Sequence, residues 1–134
     1  MDSEEVIRRV FDAFNRLDAE AVCELWTADG EWWPAYIGGG LIEGAVYRGH
    51  RGIVEFVTVQ AETWESMVAD PVKIEDLGDR VLVEVHLHGV GRASGVPVDR
   101  TTWNVFQLRD GKLAAGHVYT GRYEASRAAG LLTS

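Results

Sequence analysis

The sequence predicts an α+β domain in which helices come first and an antiparallel sheet follows. In the first half of the chain, apolar residues recur every three or four positions, which is the period of a helix with one buried face. The second half alternates apolar and polar residues and ends in two long runs joined by Asp110-Gly111. Asp-Gly between alternating runs is a strong signal for a hairpin. Helices followed by a meander of strands are typical of an α+β fold.

Length and composition favour a single soluble domain over residues 1–134. Hydrophobic residues make up 46% and charged residues 25% of the chain, which is ordinary for a globular protein. The net charge of −8 argues against nucleic acid as a partner, because phosphates favour clustered lysine and arginine. The sequence has no apolar run long enough for a membrane span, and its acidic N-terminus is unlike a secretory signal. We therefore expect a cytoplasmic protein that binds neither nucleic acid nor membrane.

Two helices are predicted before residue 30. The first begins near Ser3, a plausible N-cap, and the second is capped by Asp18. Asp29-Gly30 is expected to end this helical region, and a short strand is expected over residues 31–35. The apolar stripe of the first helix consists of Val6, Ile7, Val10, Phe11, Phe14 and Leu17, and that of the second of Val22, Leu25 and Trp26.

Residues 37–49 contain five glycines and are predicted to form a flexible loop. Their spacing fits no phosphate-binding pattern, so the loop is either a flap over a pocket or a plain connection. A third helix is predicted after it, ending before Asp70-Pro71 because a residue that precedes proline disfavours the helical conformation. Its buried face is expected to carry Ile53, Phe56, Val57, Gln60 and Trp64.

The rest of the chain is predicted to be strand and turn, with one or two helical turns at the end. The expected strands cover residues 72–75, 81–90, 100–108 and 113–122, and the final helical turns cover 124–131.

The register of the last hairpin decides which residues share a face. A simple two-residue turn at Asp110-Gly111 would place Asn104 opposite His117. If Gly111 instead takes the left-handed position of a bulge, the register shifts by one residue, and Asn104 shares a face with Val118. A slip of one residue moves every side chain to the other face of a sheet. The residue pattern leaves both registers open.

Few residues have the spacing that chemistry requires. His86 and His88 alternate on a strand with Glu84 and could bind a metal ion, but a polar outer face is the commoner arrangement and we favour it. Glu31, beside Trp32 and Trp33, is the best candidate for proton transfer, because an aromatic pocket raises the pKa of a carboxyl group. An exposed glutamate at a strand edge is nevertheless the commoner arrangement. The sequence predicts neither a metal nor a cofactor.

The whole chain resembles the SnoaL-like branch of the nuclear transport factor 2-like superfamily over roughly residues 5–131. The order and spacing of several short segments carry the resemblance, although none is specific alone. These segments are Val10, Phe11, Phe14 and Asn15-Arg16-Leu17-Asp18, then Leu25-Trp26 with Asp29-Gly30, then Tyr47-Arg48-Gly49, and finally the run from Val105 to Leu113, Tyr119 and a short last helix.

This resemblance implies a cone-shaped, curved antiparallel sheet that wraps around the N-terminal helices and leaves a central, mostly apolar cavity. It also implies the shifted hairpin register and a homodimer formed through the outer face of the sheet. Outer-face residues would then be His86, His88, Trp103, His117 and Tyr119. The residues expected to contact a ligand are Phe14, Trp33, Phe56, Arg100, Thr102, Phe106, Val118 and Thr120, with Asn104 and Glu31 as candidate catalytic residues.

The catalytic residues of two characterised relatives are not matched. Asn104 resembles the oxyanion-hole aspartate of ketosteroid isomerase in its position. The general base of that enzyme, however, falls at Trp33 here, and its tyrosine falls near Val10. The acidic and basic residues of limonene epoxide hydrolase fall at Val85, Leu87 and Val118. We therefore expect a protein that binds a mid-sized apolar carbonyl compound. It is either a cofactor-independent isomerase or cyclase, or a non-catalytic binding or dimerisation module.

Overall fold

A computed structural model describes residues 1–34, 36–37, 40–41 and 46–131 of the chain. The helices are α1 (Ser3–Asn15), α2 (Ala19–Glu24), α3 (Gly49–Thr63) and α4 (Arg122–Ala128). The strands are β1 (Trp26–Trp33), β2 (Tyr36–Ile37), β3 (Gly40–Leu41), β4 (Tyr47–Arg48), β5 (Trp64–Asp76), β6 (Arg80–Gly91), β7 (Pro97–Arg109) and β8 (Lys112–Tyr119). Six of the thirteen residues of the glycine-rich loop predicted over 37–49, including Gly38, Gly39 and Gly44, lie outside the described residues.

Six strands form one curved, unclosed sheet in the order β4-β1-β8-β7-β6-β5, and β2 pairs with β3 separately. The predicted fold class, helices followed by a curved sheet, is confirmed. The sheet is mixed rather than wholly antiparallel, because β1 runs parallel to β8. The inner face of the sheet packs against α1 and α3, and its opposite, outer face is partly covered by α4. No described helix has the length and apolar character of a membrane span.

The two N-terminal helices form where the apolar periodicity predicts them. The first is capped by Asp2 rather than Ser3, since the Asp2 Oδ1 accepts a hydrogen bond from the Glu5 N–H at 2.8 Å. Asp18 caps α2, as predicted, by accepting from the Ala21 N–H at 3.1 Å. Leu17 lies beyond the end of α1 with φ of 57° and is 48% exposed, so it does not extend the apolar stripe.

Two predicted boundaries were wrong. Asp29-Gly30 lies within β1, where the pairing with β8 shifts register between Trp26 and Glu31. Asp70-Pro71 lies within β5, which begins at Trp64 directly after α3. Proline fits there because β5 is an edge strand with a register shift just after Pro71, a place where a missing N–H removes no sheet hydrogen bond.

Most of the buried apolar residues form one cluster between α1, α2, α3 and the inner face of the sheet. Its fully buried members include Val6, Ile7, Val81, Val83 and Leu113. A smaller cluster lies on the outer face, where Ala125 and Ala129 of the C-terminal region pack on Leu82 and Val105. Both faces of the sheet are thus packed, and the inner face also encloses open space.

A candidate ligand pocket inside the sheet

A pocket of about 200 Å³ lies between α1, α3 and the inner face of the sheet. Apolar side chains form most of its wall, and every strand of the main sheet except β4 contributes to it. The lining residues are Val10, Phe11, Phe14, Val22, Trp26, Trp32, Pro34, Ile53, Phe56, Val57, Gln60, Trp64, Met67, Ala69, Val85, Leu87, Val98, Arg100, Thr102, Asn104, Phe106 and Val118. Small-molecule sites are typically apolar hollows with a few placed polar groups, and this pocket has that character.

Aromatic rings pack against one another around the pocket. Trp32 stacks on Phe106 with ring centroids 6.1 Å apart and planes 8° from parallel. Phe14 stacks on Phe56 at 5.7 Å, and Trp32 meets Phe56 edge-on at 5.6 Å. Interlocked rings of this kind hold their geometry well, since each offset or edge-on pair adds roughly 0.5–1.5 kcal/mol beyond burial. The pocket wall therefore presents flat ring faces that suit a flat apolar ligand.

Two buried polar side chains of β7 face the pocket. Thr102 is 2% exposed and Asn104 is 4% exposed. The Asn104 Oδ1 has no hydrogen-bond partner. A buried polar atom without a partner costs about 1–3 kcal/mol. If this position only filled the hydrophobic core, an apolar residue would be expected in place of Asn104.

The third buried polar residue, Gln60, comes from α3. Its Oε1 accepts a hydrogen bond from the Trp64 Nε1–H at 3.0 Å, and both residues line the pocket. The pocket thus has one carboxamide on its helical side and one on its sheet side.

Arg100 is the single charged residue among the described lining residues, and it is largely exposed. The same lining contains no aspartate, glutamate, histidine, lysine, cysteine or tyrosine. A general base must lie within hydrogen-bond reach of the proton that it removes. No described lining side chain can therefore serve as a general base.

The hairpin geometry places Asn104 inside. Asn104 pairs with Val118 and Phe106 with Gly116, so the shifted register implied by the resemblance is confirmed. The position of the extra residue differs from the expectation. Asp110 and Gly111 have φ of 54° and 78° and form a two-residue turn, and the register shift lies between Gln107 and Leu108.

Seven of the predicted site residues line the pocket, and three do not. Those that do are Phe14, Phe56, Arg100, Thr102, Asn104, Phe106 and Val118. Glu31 forms a salt bridge with Arg48 at 2.9 Å, and Trp33 stacks on His117 at 5.3 Å, so both lie on the outer face. Thr120 is exposed just beyond the end of β8.

Trp32 and Pro34 occupy the pocket positions that sequence reasoning assigned to Glu31 and Trp33. The alternation along β1 was therefore read one residue out of phase. In the structure Gly30 shows the phase of the strand, because it is buried directly against the Trp26 ring. A strand with Gly30 inside has Trp32 inside as well. Gln60 and Trp64 were recognised only as members of a helical face.

The histidines of the outer face contact neighbouring side chains. His86 Nε2 lies 2.6 Å from Asp99 Oδ1, and the His86 and His88 rings are 5.3 Å apart. Within the described part of the chain, no group of three or more histidine, cysteine, aspartate or glutamate side chains is arranged to hold a metal ion. His117 is sandwiched between Trp33 and Tyr119, and burial lowers its pKa below 6.5, partly offset by Glu31.

Comparison with known proteins places this fold and pocket in a family. The sequence profile of the SnoaL-like domain matches residues 7–116. The chain belongs to the SnoaL-like family. No curated protein matches the chain in sequence.

Several solved structures share the fold of this SnoaL-like protein. A protein with a ketosteroid isomerase-like fold from Catenulispora acidiphila, solved with trimethylamine, is 18% identical, with a TM-score of 0.78 over 98% of this chain and 96% of that one. TerC, co-crystallised with polyporic acid, is 22% identical, with a TM-score of 0.74 over 92% and 95% of the two chains. A candidate polyketide cyclase from Sinorhizobium meliloti is 25% identical, with a TM-score of 0.67 over 85% and 93%.

Proposed function

We propose that this protein binds a small, largely apolar carbonyl compound, or its enol, in the inner pocket, with Asn104 holding the oxygen. The observation that carries the proposal is the buried Asn104 carboxamide, whose oxygen lacks a partner inside a largely apolar wall. A carboxamide offers two donors and an acceptor, so it can donate to a carbonyl oxygen or accept from an enol. The hydroxyl hydrogen of an enol would satisfy the Asn104 Oδ1, whereas a carbonyl oxygen would accept from the Asn104 Nδ2 hydrogens.

Pocket size limits the ligand to one or two rings. An apolar cavity of roughly 150 Å³ accommodates benzene, and this pocket measures about 200 Å³. The mid-sized compound expected from the sequence is therefore narrowed to a small bicyclic or monocyclic ketone. Stacked Trp32 and Phe106 suit a flat ring.

Catalysis is the second candidate, and Asn104 supports it in part. A buried donor aimed at a carbonyl stabilises the negative charge that develops on the oxygen during enolisation or cyclisation. Glu31, the candidate proton carrier, instead pairs with Arg48 on the outer face, and the described lining supplies no other base. Binding without turnover is thus better supported than an isomerase or cyclase activity.

Replacing Asn104 with leucine is expected to weaken ketone binding about tenfold or more, because a ligand oxygen would be buried without a donor, at a cost of about 1–3 kcal/mol. Binding of acetophenone and 2-acetonaphthone can be followed by the quenching of tryptophan fluorescence, since Trp26, Trp32 and Trp64 line the pocket. The same titration with isopropylbenzene, which has the shape of acetophenone but no oxygen, should show no such loss.

Thr101→Val is the matched control for this experiment, because Thr101 is an exposed residue on the outer face of the same strand. It should bind the ketones as the wild type does. Equal weakening of ketone and hydrocarbon by Asn104→Leu would show that Asn104 acts only by shaping the pocket. Failure of the wild type to bind any of these ketones would contradict the proposed function.

We also propose that two chains associate through the outer face of the sheet. Trp33, His117 and Tyr119 form a run of stacked rings there, and large aromatic surfaces of this kind favour protein contacts over water. Because burial already lowers the pKa of His117, a proton on His117 would oppose further burial.

The mass in solution tests this proposal. Light scattering at micromolar concentration should give twice the chain mass near pH 7.5, and the dimer should weaken as the pH falls below 6.5, the ordinary pKa of histidine. His117→Phe keeps the ring stack but removes the proton, so its dimer should weaken less over the same range. A monomeric mass at pH 7.5 would refute the dimer. Equal pH dependence of dimerisation in the wild type and in His117→Phe would show that His117 does not cause the effect of pH.

A further inference from the structure

Within the described residues, the Gln60 carboxamide makes a hydrogen bond through its oxygen and none through its NH₂ group. It is 9% exposed and lines the pocket from α3. The Trp64 indole donates to its Oε1 at 3.0 Å. An indole nitrogen can only donate, so the atom that it meets must be the amide oxygen rather than the amide nitrogen. The Gln60 NH₂ group is therefore turned away from Trp64.

The Gln60 NH₂ group has no acceptor within the described residues, where the contact with Trp64 is the single hydrogen bond of this side chain. Amide hydrogens that face an apolar pocket gain free energy from an acceptor on the ligand, because a donor that a ligand covers without a partner is costly. No described lining residue is a carboxylate or histidine. An oxygen atom of a ligand is the acceptor that the pocket leaves room for.

Trp64 holds Gln60 in place through a fixed junction. Trp64 is the first residue of β5 and directly follows α3. The Arg92 Nη2 donates to the carbonyl oxygens of Ala61 and Trp64 at 3.1 and 3.0 Å, which fastens the end of the helix to the start of the strand. The indole that orients Gln60 is thus anchored at its own backbone, so the direction of the NH₂ group is set before a ligand enters.

We propose that Gln60 is a second polar anchor of the pocket and that the ligand carries two oxygen functions on its small ring system, one for Asn104 and one for Gln60. This inference rests on the proposed function and narrows its ligand class to ring-oxygenated ketones, such as hydroxyaryl ketones. The two carboxamides come from different layers, one from α3 and one from β7. Two oxygens held from two layers fix the orientation of a flat ring, which one contact with Asn104 cannot do.

Paired ligands of equal size test the second anchor. The hydroxyacetophenones and methylacetophenones, each with ortho, meta or para substitution, differ only in whether a hydroxyl or a methyl group occupies the ring position. A hydroxyl buried without a partner is disfavoured relative to a methyl group, whereas one that meets Gln60 is favoured. For the wild type, we expect one hydroxyl isomer to bind about tenfold more tightly than its methyl counterpart.

Gln60→Met removes the amide with little change in volume, and it should reduce this hydroxyl-to-methyl ratio to about one or below. Trp64→Phe keeps a ring but removes the donor that orients Gln60, so its ratio should lie between those of the wild type and Gln60→Met. The control is Gln107→Met, since Gln107 is an exposed glutamine on the outer face of β7; this variant should keep the wild-type ratio.

Several results would overturn the second anchor. One is a wild type that prefers the methyl isomer at every ring position, a result that needs no variant to fold. Another is an unchanged ratio in Gln60→Met, or weaker binding of both ligands by the same factor, which would mark a purely structural role. If ketone binding depends on Asn104 but the hydroxyl-to-methyl ratio does not depend on Gln60, the proposal of a second anchor fails and the proposed function stands. If no ketone binds, both proposals fail together.

Discussion

Asn15→Leu is expected to lower the free energy of unfolding by about 2–4 kcal/mol, although Asn15 is only partly buried. Its Nδ2 donates to the Ala69 carbonyl oxygen, and its Oδ1 accepts from the Ala69 N–H, both at 2.9 Å. Ala69 is 3% exposed. Leucine has a similar size but would leave both backbone groups without a partner, and each such group costs about 1–3 kcal/mol.

The position of Ala69 explains why the Asn15 side chain contributes so much to the free energy of unfolding. Ala69 belongs to β5, the edge strand of the main sheet, so its outward N–H and C=O groups meet no further strand. The Asn15 carboxamide takes the place of that strand by offering a donor and an acceptor side by side. It also fastens the end of α1 to the sheet that forms the other wall of the pocket.

Urea unfolding measures this effect, with an unchanged slope showing that the folded and unfolded states remain comparable. Asn15→Asp should also destabilise, because its carboxylate still accepts from the Ala69 N–H but faces the Ala69 carbonyl oxygen. Gln107→Leu removes an exposed carboxamide and should change stability by about 0.5 kcal/mol or less. A similarly small change in Asn15→Leu would show that water replaces the two hydrogen bonds.

Local patterns in the sequence predict the helices and the strands β6, β7 and β8, because burial of one face imposes a period on the residues. They fail where a long-range contact decides the outcome. Pro71 argues against a strand as long as the position of that strand at a sheet edge is unknown. Asp29-Gly30 likewise resembles a turn as long as the pairing of its strand with β8 is unknown. In both places the strand persists through an irregular register, which local propensity does not encode.

The candidate site was easier to predict on β7 than on β1, because the phase of the alternation is clear on β7 and interrupted on β1. On β7, an alternating run of polar and apolar residues ends at a clear turn, and the family resemblance selects between two registers. On β1, a shift in pairing lies between Trp26 and Glu31, so the phase of the alternation cannot be counted from the start of the strand. Gln60 could not have been singled out from its helix, because its role depends on which atom Trp64 contacts.

Gly116→Val is expected to lower the free energy of unfolding by about 2–3 kcal/mol and to abolish ketone binding. A Cβ atom at this position would lie 2.8 Å from Phe106 Cε1 and 2.9 Å from Trp32 Cε3. These two rings stack on each other, and Phe106 is 2% exposed. Overpacking of a tight core costs about 1–3 kcal/mol, and the rings can yield mainly towards the open pocket.

The two effects are separable by measurement. Urea unfolding gives the loss of stability, and fluorescence titration of the folded variant with 2-acetonaphthone gives the loss of binding. Gly116→Ala should cost less stability but still weaken binding, since its single methyl group meets the same two rings. Ala115→Val places the same side chain one residue away, on the outer face, and should leave ketone binding unchanged. Wild-type affinity in Gly116→Val would mean that ketones bind elsewhere, because displaced Trp32 and Phe106 rings would occupy the space in which the ligand ring stacks.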